Sequence, residues 1–98
     1  MNIEKICNEK EITLNVSGRL DTTTAPSLET AVMEIVGECE SLVLDLAGLE
    51  YISSAGLRVI LKTQKVMMTK GGMKVQHVNE TIMEIFEITG FSDILTIV

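Results

Sequence analysis

Two adjacent serines, Ser53 and Ser54, are the residues of this chain best suited to chemistry. They stand directly before an apolar helical pattern in the run YISSAGLRVIL, residues 51–61. A serine in this place commonly caps a helix, because its side-chain oxygen accepts a hydrogen bond from a backbone N–H of the first turn. The same place suits a phosphoserine, because free N–H groups and the positive end of the helix dipole favour negative charge. The sequence pattern is therefore consistent with two interpretations of these serines, helix capping alone and a phosphorylation switch.

Residues that follow the serines favour a contact with another protein. Gly56 is a poor helix former, and we expect it to keep the surface flat so that a partner backbone can approach. Arg58 lies four residues after Ser54, where a helical side chain points back toward that serine. Arg58, Lys62 and Lys65 recur at helical spacing. They predict a basic stripe that is either a solvated face or a contact for an acidic partner surface.

Enzyme and metal motifs are absent from the sequence. There is no GxSxG elbow, no Walker A phosphate loop and no GxGxxG pattern. The single histidine, His77, lies in an alternating strand pattern, and nothing pairs Asp21 and Asp45 as acid and base. Cys7 and Cys39 are far apart and lack the clustered ligands of a zinc site. We expect a non-enzymatic protein with two reduced thiols, a structural histidine, no metal and no cofactor.

Composition and charge indicate which kinds of partner this chain is not suited to bind. The formal net charge is −6 and aromatic residues make up 3% of the chain, which disfavours nucleic acid, since phosphate backbones attract basic surfaces and bases stack on aromatic rings. No segment approaches the ~20 apolar residues of a membrane span, and the charged start MNIEKICNEK is unlike a secretory signal peptide. We expect one cytoplasmic domain over residues 1–98, monomeric and without direct membrane insertion.

The hydrophobic pattern divides the chain into elements that position the serines. Short alternating or continuous apolar runs predict strands, and apolar residues three and four apart predict helices. Strands are expected at 2–7, 11–17, 42–46, 73–78 and 94–98, and helices from Thr24 to Gly37, from Ser54 to Gly71 and from Asn79 to Gly90. The segment 47–53 is expected to be a loop. The continuous run at 42–46 predicts a central strand covered on both faces.

The predicted order of elements is β-β-α-β-α-β-α-β. Strand–helix alternation predicts an α/β fold with a mixed, largely parallel sheet and helices packed against it through right-handed crossovers. The opening hairpin supplies the antiparallel pair. The helix that begins near Ser54 would then follow the carboxyl end of a strand, and that edge of an open α/β sheet is where binding sites gather.

These residues and elements resemble the STAS domain of bacterial anti-sigma-factor antagonists. The resemblance rests on VLDLAGLEYISSAGLRVIL at 43–61 and GRLDTTTA at 18–25, and it extends through GGMKV at 71–75 and IFEITGF at 85–91. It implies partner switching: the unphosphorylated antagonist binds an anti-sigma factor that is also a serine kinase, which frees a sigma factor. Phosphorylation of the serine at the start of the second helix loosens that complex, and a PP2C-type phosphatase restores the binding form.

The resemblance also implies a role for single residues. Ser54 matches the phosphoacceptor, Asp21 matches a position close to it, and Thr22 follows in the same loop. Many members have Asp immediately before the acceptor and Ser after it, where this chain has Ser53 and Ala55, so Ser53 is the alternative acceptor. The expected partner-binding residues are Asp21, Thr22, Ser53, Ser54, Gly56, Arg58 and Lys62. The alternative function is a STAS-type scaffold or binding module of a sensory or membrane-lipid transport complex without sigma-factor control.

Overall fold

The first two strands form the antiparallel hairpin that the sequence predicts. In the computed structural model, which describes residues 1–98, β1 (Asn2–Asn8) pairs along its length with β2 (Glu11–Leu20). β2 does not end at Ser17 as expected. Gly18, at a φ of 90°, allows a shift of register there, and the strand continues beside a new neighbour.

The remaining strands run parallel to β2. β3 (Ser41–Asp45), β5 (Met73–Gln76) and β6 (Thr96–Ile97) extend the sheet in the order β1-β2-β3-β5-β6, and β4 (Leu49–Ile52) pairs with the far end of β2. The expectation of a loop at 47–53 is therefore wrong, because the extended β2 offers β4 a free edge. The predicted α/β fold with a mixed, largely parallel sheet is confirmed, with one strand more than expected.

Three helices connect the strands. They are α1 (Ala25–Ile35), α2 (Ser54–Met67) and α3 (Glu80–Thr89), and a 3-10 turn (Phe91–Asp93) follows α3. That turn shortens the predicted last strand at 94–98, because its backbone bonds carry the chain to β6 only at Thr96. None of the helices combines the length and the apolar character needed to cross a membrane.

All three helices pack against the same face of the sheet. Alternate side chains of β2, β3 and β5 join the inner faces of the helices in one core, which includes Ile12, Leu14, Val16, Leu42, Leu44, Met73, Val75, Leu28, Ile60 and Phe86. Val43 points to the opposite face and stays outside this core, although it is only 7% exposed. It lies in register between Thr13 and Lys74. The expectation that its strand is covered on both faces is wrong, because neighbouring strand residues, not helices, shield Val43.

Candidate functional site

The two serines lie in different environments at the start of α2. Ser53 is the N-cap residue: its backbone is extended, it is half-buried, and its Oγ accepts a hydrogen bond from the Gly56 N–H at 3.4 Å. Ser54 is the first helical residue and is exposed. Its hydroxyl has no hydrogen-bond partner in the chain. Capping is thus done by Ser53, which leaves the hydroxyl of Ser54 accessible from outside.

The serines lie at the carboxyl edge of the sheet together with the loop after β2. Leu20 on β2 stands opposite Ile52 on β4 in parallel register, so the residues that follow them, Asp21 and Ser53, lie at the same edge. The Ser53 N–H donates to the Leu20 carbonyl at 2.9 Å, which fixes the start of α2 to the end of β2. The structure therefore brings Asp21 and both serines to one edge, as expected.

Gly56 is buried and faces the core. A Cβ built on it would lie 2.6 Å from Leu20 Cγ and 3.0 Å from Ile52 Cγ1. The expectation that Gly56 flattens an exposed surface for a partner is therefore wrong. Its missing side chain instead allows the first turn of α2 to approach β2 and β4 closely, and this approach holds Ser54 in place.

We expect Gly56→Ala to lower the free energy of unfolding by about 1–3 kcal/mol, because the added methyl group overpacks the contact with Leu20. Gly37→Ala is the matched control, since nothing lies within 4 Å of a Cβ built at that position. The control should change stability by less than about 0.5 kcal/mol. Urea denaturation of both variants measures the difference, and equal midpoints would contradict the close packing at Gly56.

The loop after β2 surrounds the Asp21 carboxylate with hydrogen-bond donors. Its Oδ1 accepts hydrogen bonds from the Thr23 hydroxyl at 2.7 Å and from the Thr23 and Thr24 N–H groups at 3.0 and 3.2 Å. These bonds, the Thr23 hydroxyl first, lower the pKa of Asp21 below its ordinary value. Thr24 does not cap α1 through its side chain as expected. Its hydroxyl donates to the Arg19 carbonyl at 2.8 Å and accepts from the Asp21 N–H at 2.8 Å.

An open groove of about 460 Å3 runs between α1 and α2 from the serine end of α2. Three of the predicted partner-binding residues, Thr22, Arg58 and Lys62, line it together with Pro26 and Glu29. Residues from the β2–α1 loop and from α2 thus share one concave surface. On α2 this surface begins at Ala55, the residue after Ser54, and extends to Lys62.

The predicted basic stripe on α2 is interrupted by an ion pair. Lys62 Nζ lies 2.6 Å from Glu29 Oε1 on α1, and both side chains remain largely in contact with solvent. Such a pair contributes roughly 0.2–1 kcal/mol and links the two helices across the groove. Arg58 and Lys65 are exposed and have no ion-pair partner in the chain. The unneutralised positive charge of the stripe is therefore that of Arg58 and Lys65.

Arg19 and Tyr51 are part of this edge and were not predicted from the sequence. They stand opposite each other on β2 and β4, and the Arg19 guanidinium lies 4.3 Å from the centre of the Tyr51 ring. Arg19 Nε is 4.0 Å from Asp21 Oδ2. The sequence carries no periodic signal for this pair, because the four residues of β4 do not alternate: Leu49 and Ile52 are buried at its two ends, and Tyr51 is exposed between them.

A second polar cluster joins the carboxyl ends of β3 and β5. His77 Nδ1 lies 2.8 Å from Asp45 Oδ2, the Gln76 amide donates to the same oxygen at 3.0 Å, and the Ala47 N–H donates to Oδ1 at 3.0 Å. His77 therefore lies beyond β5, with a φ of 57°, and not on the strand as expected. Asp45 has a histidine partner, but no serine hydroxyl bonds to His77. The cluster thus lacks the nucleophile of a catalytic triad and ties two strand ends together.

We expect the stability of the protein to depend on Asp45 in acid. Burial opposes its ionisation, but the hydrogen bonds from Ala47, His77 and Gln76 outweigh that effect and lower the pKa of Asp45. Because the pKa of Asp45 is lower in the folded than in the unfolded state, its ionised form stabilises the fold at pH values above the unfolded-state pKa, about 3.9. This stabilisation is lost as the pH falls through the folded-state pKa. Asp45→Asn should therefore weaken the loss of stability below about pH 4. Thermal melts of the wild type and of Asp45→Asn across this pH range test the prediction. The same loss of stability in acid for both proteins would contradict it.

The strand order, the single layer of helices and the exposed serine at the sheet's carboxyl edge define the class: a small mixed α/β domain of the STAS type. The chain belongs to the STAS domain family, which it matches over residues 2–98. It is 31% identical over 98 residues to the anti-sigma-B factor antagonist of Bacillus subtilis (strain 168), across 99% of this chain and 90% of that protein.

Comparison with solved structures supports the same family. The crystal structure of an anti-sigma factor antagonist from Mycobacterium paratuberculosis is similar at a TM-score of 0.90 and 25% identity, across 98% of this chain and 83% of that one. The phosphorylated form of the Bacillus cell fate determinant SpoIIAA shares the fold at a TM-score of 0.77 and 12% identity, across 99% of this chain and 91% of that one. The predicted family is confirmed.

Proposed function

We propose that this chain is an anti-sigma factor antagonist that binds an anti-sigma factor while Ser54 is unphosphorylated, frees a sigma factor, and is switched off by phosphorylation of Ser54. The observation that carries the proposal is the difference between the two serines: Ser53 is occupied as the helix cap, and Ser54 is exposed and unbonded. The names of the relatives support the general role. A protein of the same fold, SpoIIAA, exists in a phosphorylated form.

The start of α2 can accept a phosphate without a change of fold. The N–H groups of Ser54 and Ala55 have no acceptor within the helix, and the first turn of α2 carries no acidic residue. Arg58, one turn further along, has no ion-pair partner in the chain and lies four residues after Ser54, on the same side of the helix. A phosphate adds about −1.5 to −2 charges at pH 7. The folded chain therefore tolerates the charge, while a protein packed on Ser54 would have to bury it.

The proposed partner surface surrounds Ser54. It consists of Asp21 and Thr22 from the β2–α1 loop, with Arg58 and Lys62 from α2, and Gly56 supports it from beneath. The partner is an anti-sigma factor with serine kinase activity. Its ATP transfers the terminal phosphoryl group to the Ser54 hydroxyl and leaves as ADP, while a base of the kinase takes the hydroxyl proton. A PP2C-type phosphatase returns the serine by hydrolysis. These encounters take place in the cytoplasm, where sigma factors act.

The test is capture of partners from a lysate of the source cells, with identification by mass spectrometry. The wild type should capture a kinase-like anti-sigma factor and Ser54→Asp should lose it. Asn8→Asp is the matched control, because it adds one exposed negative charge beside the start of β2, at the opposite end of the sheet. Capture of the same membrane or multi-subunit complex by the wild type and Ser54→Asp would overturn the proposal in favour of a scaffold.

A further inference from the structure

Arg19 and Tyr51 form a preorganised pair beside the serines. The aromatic ring covers one face of the guanidinium at 4.3 Å and so restricts a side chain that is otherwise 63% exposed. The backbone beneath is fixed as well, because the Thr24 hydroxyl donates to the Arg19 carbonyl. Binding through an arginine that is already held costs less conformational entropy than ordering a free one.

The hydrogen-bond donors of this arginine are unused. The Arg19 Nε–Asp21 Oδ2 distance of 4.0 Å is too long for a hydrogen bond, and the guanidinium bonds to no other acceptor in the chain. Tyr51 is 38% exposed and is the most exposed of the three aromatic residues. Exposed tyrosine and arginine are the residue types that most often dominate binding energy at protein interfaces.

We propose that Arg19 and Tyr51 anchor an acidic segment of the anti-sigma factor, with a partner carboxylate on the Arg19 guanidinium and a neighbouring apolar side chain on the Tyr51 ring. This inference rests on the proposed function and names the chemistry of the partner at that site. A planar guanidinium binds a carboxylate through two parallel hydrogen bonds, which a lysine cannot do.

Charge at this end of the molecule favours an acidic occupant. The chain as a whole carries a net charge of −6, yet at the serine end of α2 Arg58 has no ion-pair partner, and Arg19 has only Asp21, at 4.0 Å. The anchor is continuous with the switch, since Tyr51 lies three residues before Ser54. It also explains the direction of the switch: a phosphate on Ser54 would repel the acidic segment and draw Arg58 to itself.

The test uses the purified anti-sigma factor identified by the capture experiment and calorimetric titration with variants whose folding is checked by thermal melts. Arg19→Ala and Tyr51→Ala should each raise Kd about 10-fold to 100-fold. Arg19→Lys should bind the anti-sigma factor more tightly than Arg19→Ala but more weakly than the wild type. Tyr51→Phe should bind like the wild type. Lys10→Ala, an exposed cation at the opposite edge of the sheet, is the control. The Kd of Arg19→Ala should also depend less steeply on salt.

The outcomes separate this inference from the function on which it rests. If Arg19→Ala and Tyr51→Ala bind within twofold of the wild type while Ser54→Asp loses binding, the anchor is wrong and the switch stands. If Ser54→Asp binds like the wild type, the switch is wrong. If Arg19→Lys binds as well as the wild type, a bidentate carboxylate contact is excluded.

Discussion

Ser54→Asp is expected to raise the Kd for the anti-sigma factor by about 30-fold or more, because a buried, unpaired charge at an interface costs about 2–5 kcal/mol. The side chain is exposed at the first position of α2, so the substitution places that charge on the partner surface and leaves the core untouched. Ser54→Ala should bind like the wild type and resist phosphorylation. Calorimetric titration of the purified proteins measures both effects.

Ser53 supplies the internal comparison for this prediction. Ser53→Ala removes the side chain that accepts from the Gly56 N–H, so it should lower stability by about 1 kcal/mol and leave partner binding largely intact. The reverse pattern, in which Ser53→Asp abolishes binding and Ser54→Asp does not, would transfer the switch to the capping serine and refute the role assigned to Ser54.

Leu20→Ala is expected to lower the free energy of unfolding by about 2–5 kcal/mol, a large part of the stability of a small protein. Leu20 is fully buried at the end of β2, contacts Gly56 with its side chain, and accepts from the Ser53 N–H with its carbonyl. The cavity opens directly beneath the start of α2. Urea denaturation measures the cost, and a change below about 1 kcal/mol would contradict the packing.

The same cavity makes two damaging substitutions compensate each other. The methyl group of Gly56→Ala points at the space that Leu20→Ala vacates, so the double variant should be more stable than the sum of the single effects, by about 1 kcal/mol or more. Gly56→Ala combined with Met73→Ala, at the amino end of β5, should be additive. Additive costs in the first pair would show that the two residues are not in contact.

Elements with a clear period were predictable, and the one that depends on a distant partner was not. Ile12, Leu14 and Val16 alternate along β2, and Asn79 caps α3 by accepting from the Ile82 N–H at 2.9 Å, as expected. β4 escaped prediction because it has four residues and pairs only with the part of β2 that lies beyond the register shift at Gly18. Its stability comes from that pairing and not from its own sequence.

The candidate site also has features that local sequence signals predict and features that they do not. The place of Ser54 at a helix start follows from local signals, whereas the packing of Gly56 on Leu20 joins residues that are far apart in the chain. The pairs of Arg19 with Tyr51 and of Asp45 with His77 likewise depend on which strand lies beside which. Register between strands, which a single sequence does not reveal, determines these contacts.

The central claim, that Ser54 is the control point, is tested most directly by locating the phosphate. The purified chain is incubated with its anti-sigma factor and ATP, and the modified residue is identified by tandem mass spectrometry of the peptide that spans both serines. One phosphate on Ser54, and none on Ser54→Ala, is the result that we predict. A phosphate on Ser53, or an intact complex with no phosphate on either serine, would contradict the claim.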